Sequence, residues 1–87
     1  KGPSFGSTFK NPQDDFAGRL LEEAGMKGVV SGYAQVSNQH ANFILNDGSA
    51  TAQDIYNLIR MGQKRVKEKF NIDLFTEIEI IGDFDEL

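Results

Sequence analysis

Apolar and polar positions alternate along the chain with periods that change several times. Phe16, Ala17, Leu20, Leu21 and Ala24 fall at i, i+1, i+4, i+5 and i+8, which is one stripe of a helix. Asp14 or Asp15 stands where an N-cap belongs, and Gly25 and Gly28 supply the stop. Two short strand candidates follow, Val29–Val36 and Ala41–Asn46, joined around Ser37-Asn38-Gln39-His40. Asn46-Asp47-Gly48 reads as a turn, because Asp-Gly favours positive φ. Thr51-Ala52-Gln53-Asp54 has the form of a capping box. It opens a helix to about Lys69, with Ile55, Leu58, Ile59, Gly62 and Val66 on one face and Phe70 near its end. A glycine in that stripe costs about 1 kcal/mol relative to alanine, so another backbone is expected to pack closely against Gly62.

The last element is Leu74–Ile81. Both of its alternating faces are largely apolar, as in a central strand, although Glu77 and Glu79 interrupt one of them. Residues 1–13, punctuated by Gly2, Pro3, Gly6 and Pro12, read as an extended or looped opening segment anchored by Phe5 and Phe9. The order α-β-β-α-β predicts an α+β fold, with two helices packed on one face of a small three- or four-stranded sheet. Residues 1–87 form one domain on this reading.

A chain of 87 residues buries roughly 60–65% of its unfolded surface, enough for a thin core. The net charge of −4 argues against nonspecific binding of nucleic acid through its phosphates. The charge is uneven. Arg60, Lys64, Arg65, Lys67 and Lys69 crowd the second helix, whereas residues 77–87 carry carboxylates and no base. A basic helix face is ordinarily a solvated one; it can also attract an anion. With no cysteine and one histidine, disulfides, thiolate chemistry and a dedicated metal site are not expected. The lack of cysteine fits a cytoplasmic protein. No apolar run reaches the ~20 residues that cross a bilayer, and no signal-peptide pattern is present. The chain begins at Lys1 with a site-like loop. That is expected of a segment excised from a longer protein, or of a trimmed tag.

Candidate chemistry concentrates at the two ends. Gly6-Ser7-Thr8-Phe9-Lys10-Asn11-Pro12 gathers a hydroxyl, a cation and an amide with little to bury. Without a G-x-S-x-G elbow, a serine hydrolase is a poor reading. Ser7 fits two others: a turn hydrogen bond, or a general acid that gives its proton to a developing carbanion, with Lys10 and loop N–H groups stabilising the alkoxide left behind. Glu77 and Glu79 lie two residues apart on a strand, roughly 7 Å from each other on one face. They either point into water or disfavour each other's ionisation. The two ends are expected to meet and form half of an active site. Asn11, Lys27 and His40 are polar residues flanking predicted elements. Lys27 suits a helix C-cap or a phosphate contact. Gly25-Met26-Lys27-Gly28 matches the G-x-x-G of KH domains only weakly, and the acidic chain opposes an RNA ligand.

Read together, several stretches resemble one family. They are Gly6-Ser7-Thr8-Phe9-Lys10-Asn11-Pro12, residues 17–28, Ala34-Gln35-Val36-Ser37 with His40-Ala41-Asn42-Phe43, Val66-Lys67-Glu68-Lys69-Phe70, and Glu77-Ile78-Glu79-Ile80-Ile81-Gly82. In this order they look like the C-terminal domain of UDP-N-acetylenolpyruvoylglucosamine reductase. The resemblance implies a flavoenzyme of peptidoglycan synthesis that uses NADPH and FAD to reduce the enolpyruvyl ether of a UDP-amino sugar. It implies that Ser7 is the proton donor and that Glu77 assists it. Asn11 and Lys27 match positions that hold the nucleotide diphosphate, and His40 one near the uridine; Lys10 lies within the serine motif. Many members carry Arg where this chain has Glu79. Only Gln13-Asp14-Asp15 separates the serine motif from the first helix, as in the shorter subtype. The implied partners are the UDP-sugar and the flavin-binding domains of the same chain, not nucleic acid or a membrane. Lacking the flavin-binding region, the 87 residues alone are expected to be inactive. The alternative is a noncatalytic UDP-sugar-binding or interaction module of the same fold.

Overall fold

The computed structural model describes residues 4–46 and 48–77. The elements run β1 (Ser4–Ser7), α1 (Ala17–Glu23), β2 (Val30–Ser31), β3 (Ala34–Val36), β4 (Phe43–Asn46) and α2 (Ala52–Phe70). The strands form one antiparallel sheet in the order β1-β4-β3-β2. Val36 lies opposite Ile44 and Ala34 opposite Asn46. Ala34, Val36 and Ile44 turn into one core with Leu20 and Leu21 of α1 and Ile55, Leu58, Ile59 and Val66 of α2. Both helices therefore cover the same face of the sheet, as the α+β pattern requires.

The opening segment takes the extended form over Ser4–Ser7, which pairs with β4 across a register shift. Another element does differ from the sequence pattern. Val29–Val36 is a hairpin and not one strand. Gly32 turns the chain at φ +57°, Val30 faces Gln35, and Ser31 faces Ala34. Of the expected Leu74–Ile81 strand, Leu74 is buried and Thr76 forms a single antiparallel rung with Phe9. Residues 78–81, including Glu79, lie outside the described residues, as do Asp47 of the turn and the side chain of Phe5.

The helix ends show which polar groups are committed to structure. α1 begins at Ala17, later than an Asp14 or Asp15 cap would have it. Asp15 instead accepts the Phe16 N–H (2.7 Å) and both donors of the Arg19 guanidinium (2.9 and 2.7 Å). The Ala17 N–H goes to Asn11 Oδ1 at 3.0 Å. At the C-terminus the Met26 N–H reaches Leu21 O and the Gly25 N–H reaches Glu22 O, both at 3.0 Å, with Gly25 at φ +81°. These are the two bonds of a Schellman motif, so the G-x-x-G match is a helix stop. The cation on this terminus is Arg65, whose Nη1 donates to Gly25 O at 3.0 Å, not Lys27. α2 has the predicted reciprocal box: Asp54 N–H to Thr51 Oγ1 (3.1 Å) and Thr51 N–H to Asp54 Oδ2 (3.0 Å). Asp54 also accepts the Tyr33 N–H at 3.4 Å, tying the β2–β3 turn to α2.

Gly62 is indeed a point of close approach, but to side chains and not to backbone. A Cβ there would lie 3.0 Å from Leu21 Cδ2 and 3.5 Å from Phe9 Cε2. Leu21 and Phe9 are 2% and 3% exposed, so neither has room to retreat. α1, α2 and the serine segment all converge on this notch.

Gly62→Ala is expected to lower the melting temperature. The helix-propensity gain of about 1 kcal/mol is outweighed by overpacking, which costs about 1–3 kcal/mol in a filled core. Gly62→Val lowers it further; thermal melts of the two variants against the parent check the order. A second prediction concerns acid. Hydrogen bonds from Arg19 and from the Phe16 backbone hold the Asp15 pKa at about 2, below its usual 3.8. The Thr51 backbone N–H, more than any other group, lowers that of Asp54. Folded pKa values below the unfolded ones add stability that is fully present above about pH 4 and lost as pH falls toward 2. Asp15→Asn and Asp54→Asn are each expected to flatten the decline in melting temperature across that window.

Candidate functional site

The serine segment changes partners along its length. Ser7 lies opposite Phe43 in the β1–β4 ladder, and the Thr8 N–H still donates to Asn42 O on that side at 2.8 Å. From Thr8 onward the other edge pairs with the far end of the chain. The Glu77 N–H donates to Thr8 O at 2.8 Å, and the Lys10 N–H to Phe75 O at 2.9 Å. The rung between Phe9 and Thr76 sits between these two bonds. The two ends singled out in the sequence therefore meet, through backbone.

Phe9 fixes this junction from both sides. Its ring is buried against the Gly62 notch. Its N–H donates to Asn42 Oδ1 and its carbonyl accepts from Asn42 Nδ2, each at 2.9 Å. Ser7, Lys10 and Glu77 are exposed on either side of the buried pair Thr8 and Phe9.

Ser7 opens onto a cleft of about 410 Å³ between α1 and the loop before β4, whose lining includes Phe16, Arg19, Glu22, His40 and Phe43. The loop is shaped by Ser37, whose Oγ accepts the N–H groups of Gln39 (3.0 Å) and His40 (3.2 Å). The His40 carbonyl accepts the Phe43 N–H at 3.0 Å, and the two rings meet edge to face with centroids 5.7 Å apart. Ser7 and His40, which no spacing in the sequence connects, are thus brought together through Phe43. Glu22 carries the cleft toward Lys27, whose Nζ lies 3.4 Å from Glu22 Oε1. Exposed Phe16 forms one rim.

The remaining predicted residues stand outside the cleft lining. Asn11 is spent through its Oδ1 on the start of α1. Lys10 and Glu77 lie on the paired segment beyond Thr8, and Lys27 reaches the cleft only through Glu22. Sequence reasoning missed Asn42, Arg19 and Glu22. An asparagine amid the apolar residues opening β4 was the available signal for Asn42, since asparagine is depleted in strands. Among the described residues no group of His, Cys, Asp and Glu is arranged to hold a metal ion, and no helix is long and apolar enough to cross a membrane.

Comparison with known proteins identifies the family. The family model for the UDP-N-acetylenolpyruvoylglucosamine reductase C-terminal domain matches residues 1–81. A UDP-N-acetylenolpyruvoylglucosamine reductase of Clostridium botulinum is 57% identical over 81 residues, 93% of this chain and 26% of that protein. One from Bacillus licheniformis is 56% identical over the same share of this chain and 27% of its own length. The crystal structure of the Thermus caldophilus reductase superposes with a TM-score of 0.74 at 44% identity, covering 91% of this chain and 27% of that one. The chain thus spans about a quarter of the length of these relatives. On the family match over residues 1–81 and these identities, the chain belongs to the UDP-N-acetylenolpyruvoylglucosamine reductase family, as its C-terminal domain.

Proposed function

We propose that this chain is the substrate-side, proton-delivering wall of a cytoplasmic reductase that converts the enolpyruvyl ether of UDP-N-acetylglucosamine to UDP-N-acetylmuramate for bacterial peptidoglycan. The observation that carries the reading is the Glu77 N–H to Thr8 O bond of 2.8 Å. It brings a carboxylate-bearing residue from the far end of the chain next to the neighbour of Ser7. A pure binding module has no need of a proton-donating serine on a segment paired with one that carries a carboxylate.

The described residues do not fit a flavin of their own. Three open clefts among them have volumes of about 410–460 Å³, and among the described residues no glycine-rich turn leads from a strand into either helix. FAD and NADPH would be held by the part of the reductase beyond this chain and would supply the hydride from there.

The task left to this chain is the proton. Ser7 Oγ–H gives its proton to the carbon adjacent to the one reduced; the substrate double bond becomes the saturated lactyl ether and Ser7 is left as an alkoxide. Lys10 and the N–H groups of the loop stabilise that charge, Glu77 assists on the protonation side, and a proton from solvent restores the hydroxyl. Asn11 and Lys27 hold the diphosphate. With Oδ1 committed to Ala17, the Asn11 carboxamide has its Nδ2 donors to offer. Lys27 exchanges its Glu22 partner for phosphate oxygen. His40, with its ring braced on Phe43, lies toward the uridine.

Ser7→Ala in the complete reductase is expected to slow flavin reoxidation by the enolpyruvyl UDP-sugar by about 10²–10⁴-fold, the usual range for loss of a general acid. Flavin reduction by NADPH remains unchanged. Stopped-flow absorbance separates the two half-reactions, and a variant that reoxidises at the parental rate would remove Ser7 from the chemistry. The 87-residue chain alone is expected to show no flavin absorbance and no NADPH oxidation. Titration with the UDP-sugar, followed by NMR, is expected to shift the amides of the Ser7 segment together with those near Lys27 and His40. Shifts confined to Lys27 and His40 would instead favour a binding module.

A further inference from the structure

We infer that Asn42 is the positioning residue for Ser7: its carboxamide takes the place of a missing β-strand rung and holds the serine segment at the point where it changes partners. This rests on the reading of Ser7 as proton donor.

The reasoning begins with backbone accounting. The bonds from Lys10 and Glu77 to Phe75 and Thr8 flank the Phe9–Thr76 rung. In such an antiparallel pair the opposed residues do not exchange their own N–H and C=O bonds. The N–H and carbonyl of Phe9 therefore point the other way, toward β4. The β1–β4 ladder ends at Ser7 and Phe43, so no strand backbone meets them there. Buried peptide groups without partners are costly, and Phe9 is 3% exposed. Asn42 supplies both missing partners from one side chain, accepting at 2.9 Å and donating at 2.9 Å. Its own carbonyl takes the Thr8 N–H at 2.8 Å.

Three hydrogen bonds from one residue thus fix the two positions that follow Ser7, while Phe43, the next residue along, is opposite Ser7 itself. Asparagine suits this task because it carries a donor and an acceptor side by side. Aspartate keeps the size but, when ionised, only accepts; it would turn a charged oxygen toward the Phe9 carbonyl. Alanine removes both bonds. A misplacement near 1 Å can cost about 10² in rate when a reacting group must be aligned, and the Ser7 hydroxyl has no second anchor among the described hydrogen bonds.

The test uses Asn42→Ala, Asn42→Asp and Ser7→Ala in the complete reductase, together with hydrogen exchange on the 87-residue chain. Both Asn42 variants are expected to slow flavin reoxidation by the enolpyruvyl UDP-sugar by about 10–10². Flavin reduction by NADPH and the Kd of the UDP-sugar change less than threefold. In the 87-residue chain the Phe9 amide, whose acceptor is the Asn42 side chain, loses protection in Asn42→Ala and less in Asn42→Asp, which keeps an acceptor for it, while the amides of Leu58 and Val66 keep theirs in both. Parental reoxidation in both Asn42 variants, alongside a slow Ser7→Ala, overturns the positioning role and leaves the function intact. Loss of protection across the helices with slowing of both half-reactions overturns it too, by making Asn42 a general stability residue. If Ser7→Ala itself reoxidises at the parental rate, the underlying reading fails and the inference with it.

Discussion

Everything that places chemistry in this domain depends on one side chain entering one gap. The Phe9 ring occupies the space that Gly62 leaves in the face of α2, with Leu21 of α1 against the same spot. Burying a phenylalanine is worth roughly 1.5–3 kcal/mol, and here that gain is tied to a backbone that must run between β4 and residues 75–77. The apolar core and the polar segment are therefore not separable. Enlarging Gly62 would press on the ring, and moving the ring would shift the peptide that follows Thr8.

The polar groups around that core divide into those that build and those left over. Asp15, Asp54, Asn46 and Ser37 all accept backbone N–H groups in turns or helix starts, and Arg65 closes the end of α1. Asn11 accepts the first N–H of α1 through its Oδ1 and is itself exposed. Ser7, Lys10, Glu77 and His40 lie on the exposed side of the same scaffold. On the proposed reading, that division suits an active-site wall, with rigid positions behind and polar groups in front.

Much of this was legible in the sequence, for physical reasons. The α2 face and its capping box were readable because a 19-residue amphipathic helix repeats its period often enough to be unambiguous. The Schellman stop was signalled by Gly25. The hairpin at Gly32 was not legible, since two short strands of alternating residues look like one longer strand until φ is known. β1 was legible only as extended or looped, because an edge strand of four residues needs little apolar content when its partner supplies the pairing. The link from Ser7 through Phe43 to His40 is a product of cross-strand register, which no local spacing records. Asn42 left only a compositional trace, an asparagine between Ala41 and Phe43, because its value comes from a gap in the ladder. The serine and the far glutamate were picked out as residues without a core task, and their meeting required the fold.

The Phe9–Thr76 rung also bears on the order in which the domain assembles. It joins positions separated by nearly the whole chain, whereas the β2–β3 hairpin and the turns of α2 close over a few residues. Long loops are closed late because their entropy is lost before distant contacts compensate. The serine segment should then be the last part of the domain to lock and the first to open in partial unfolding. On the proposed reading, a proton donor built on so long a closure is in effect a reporter of completed folding: partly folded molecules would carry the helices and the hairpin while having no competent acid.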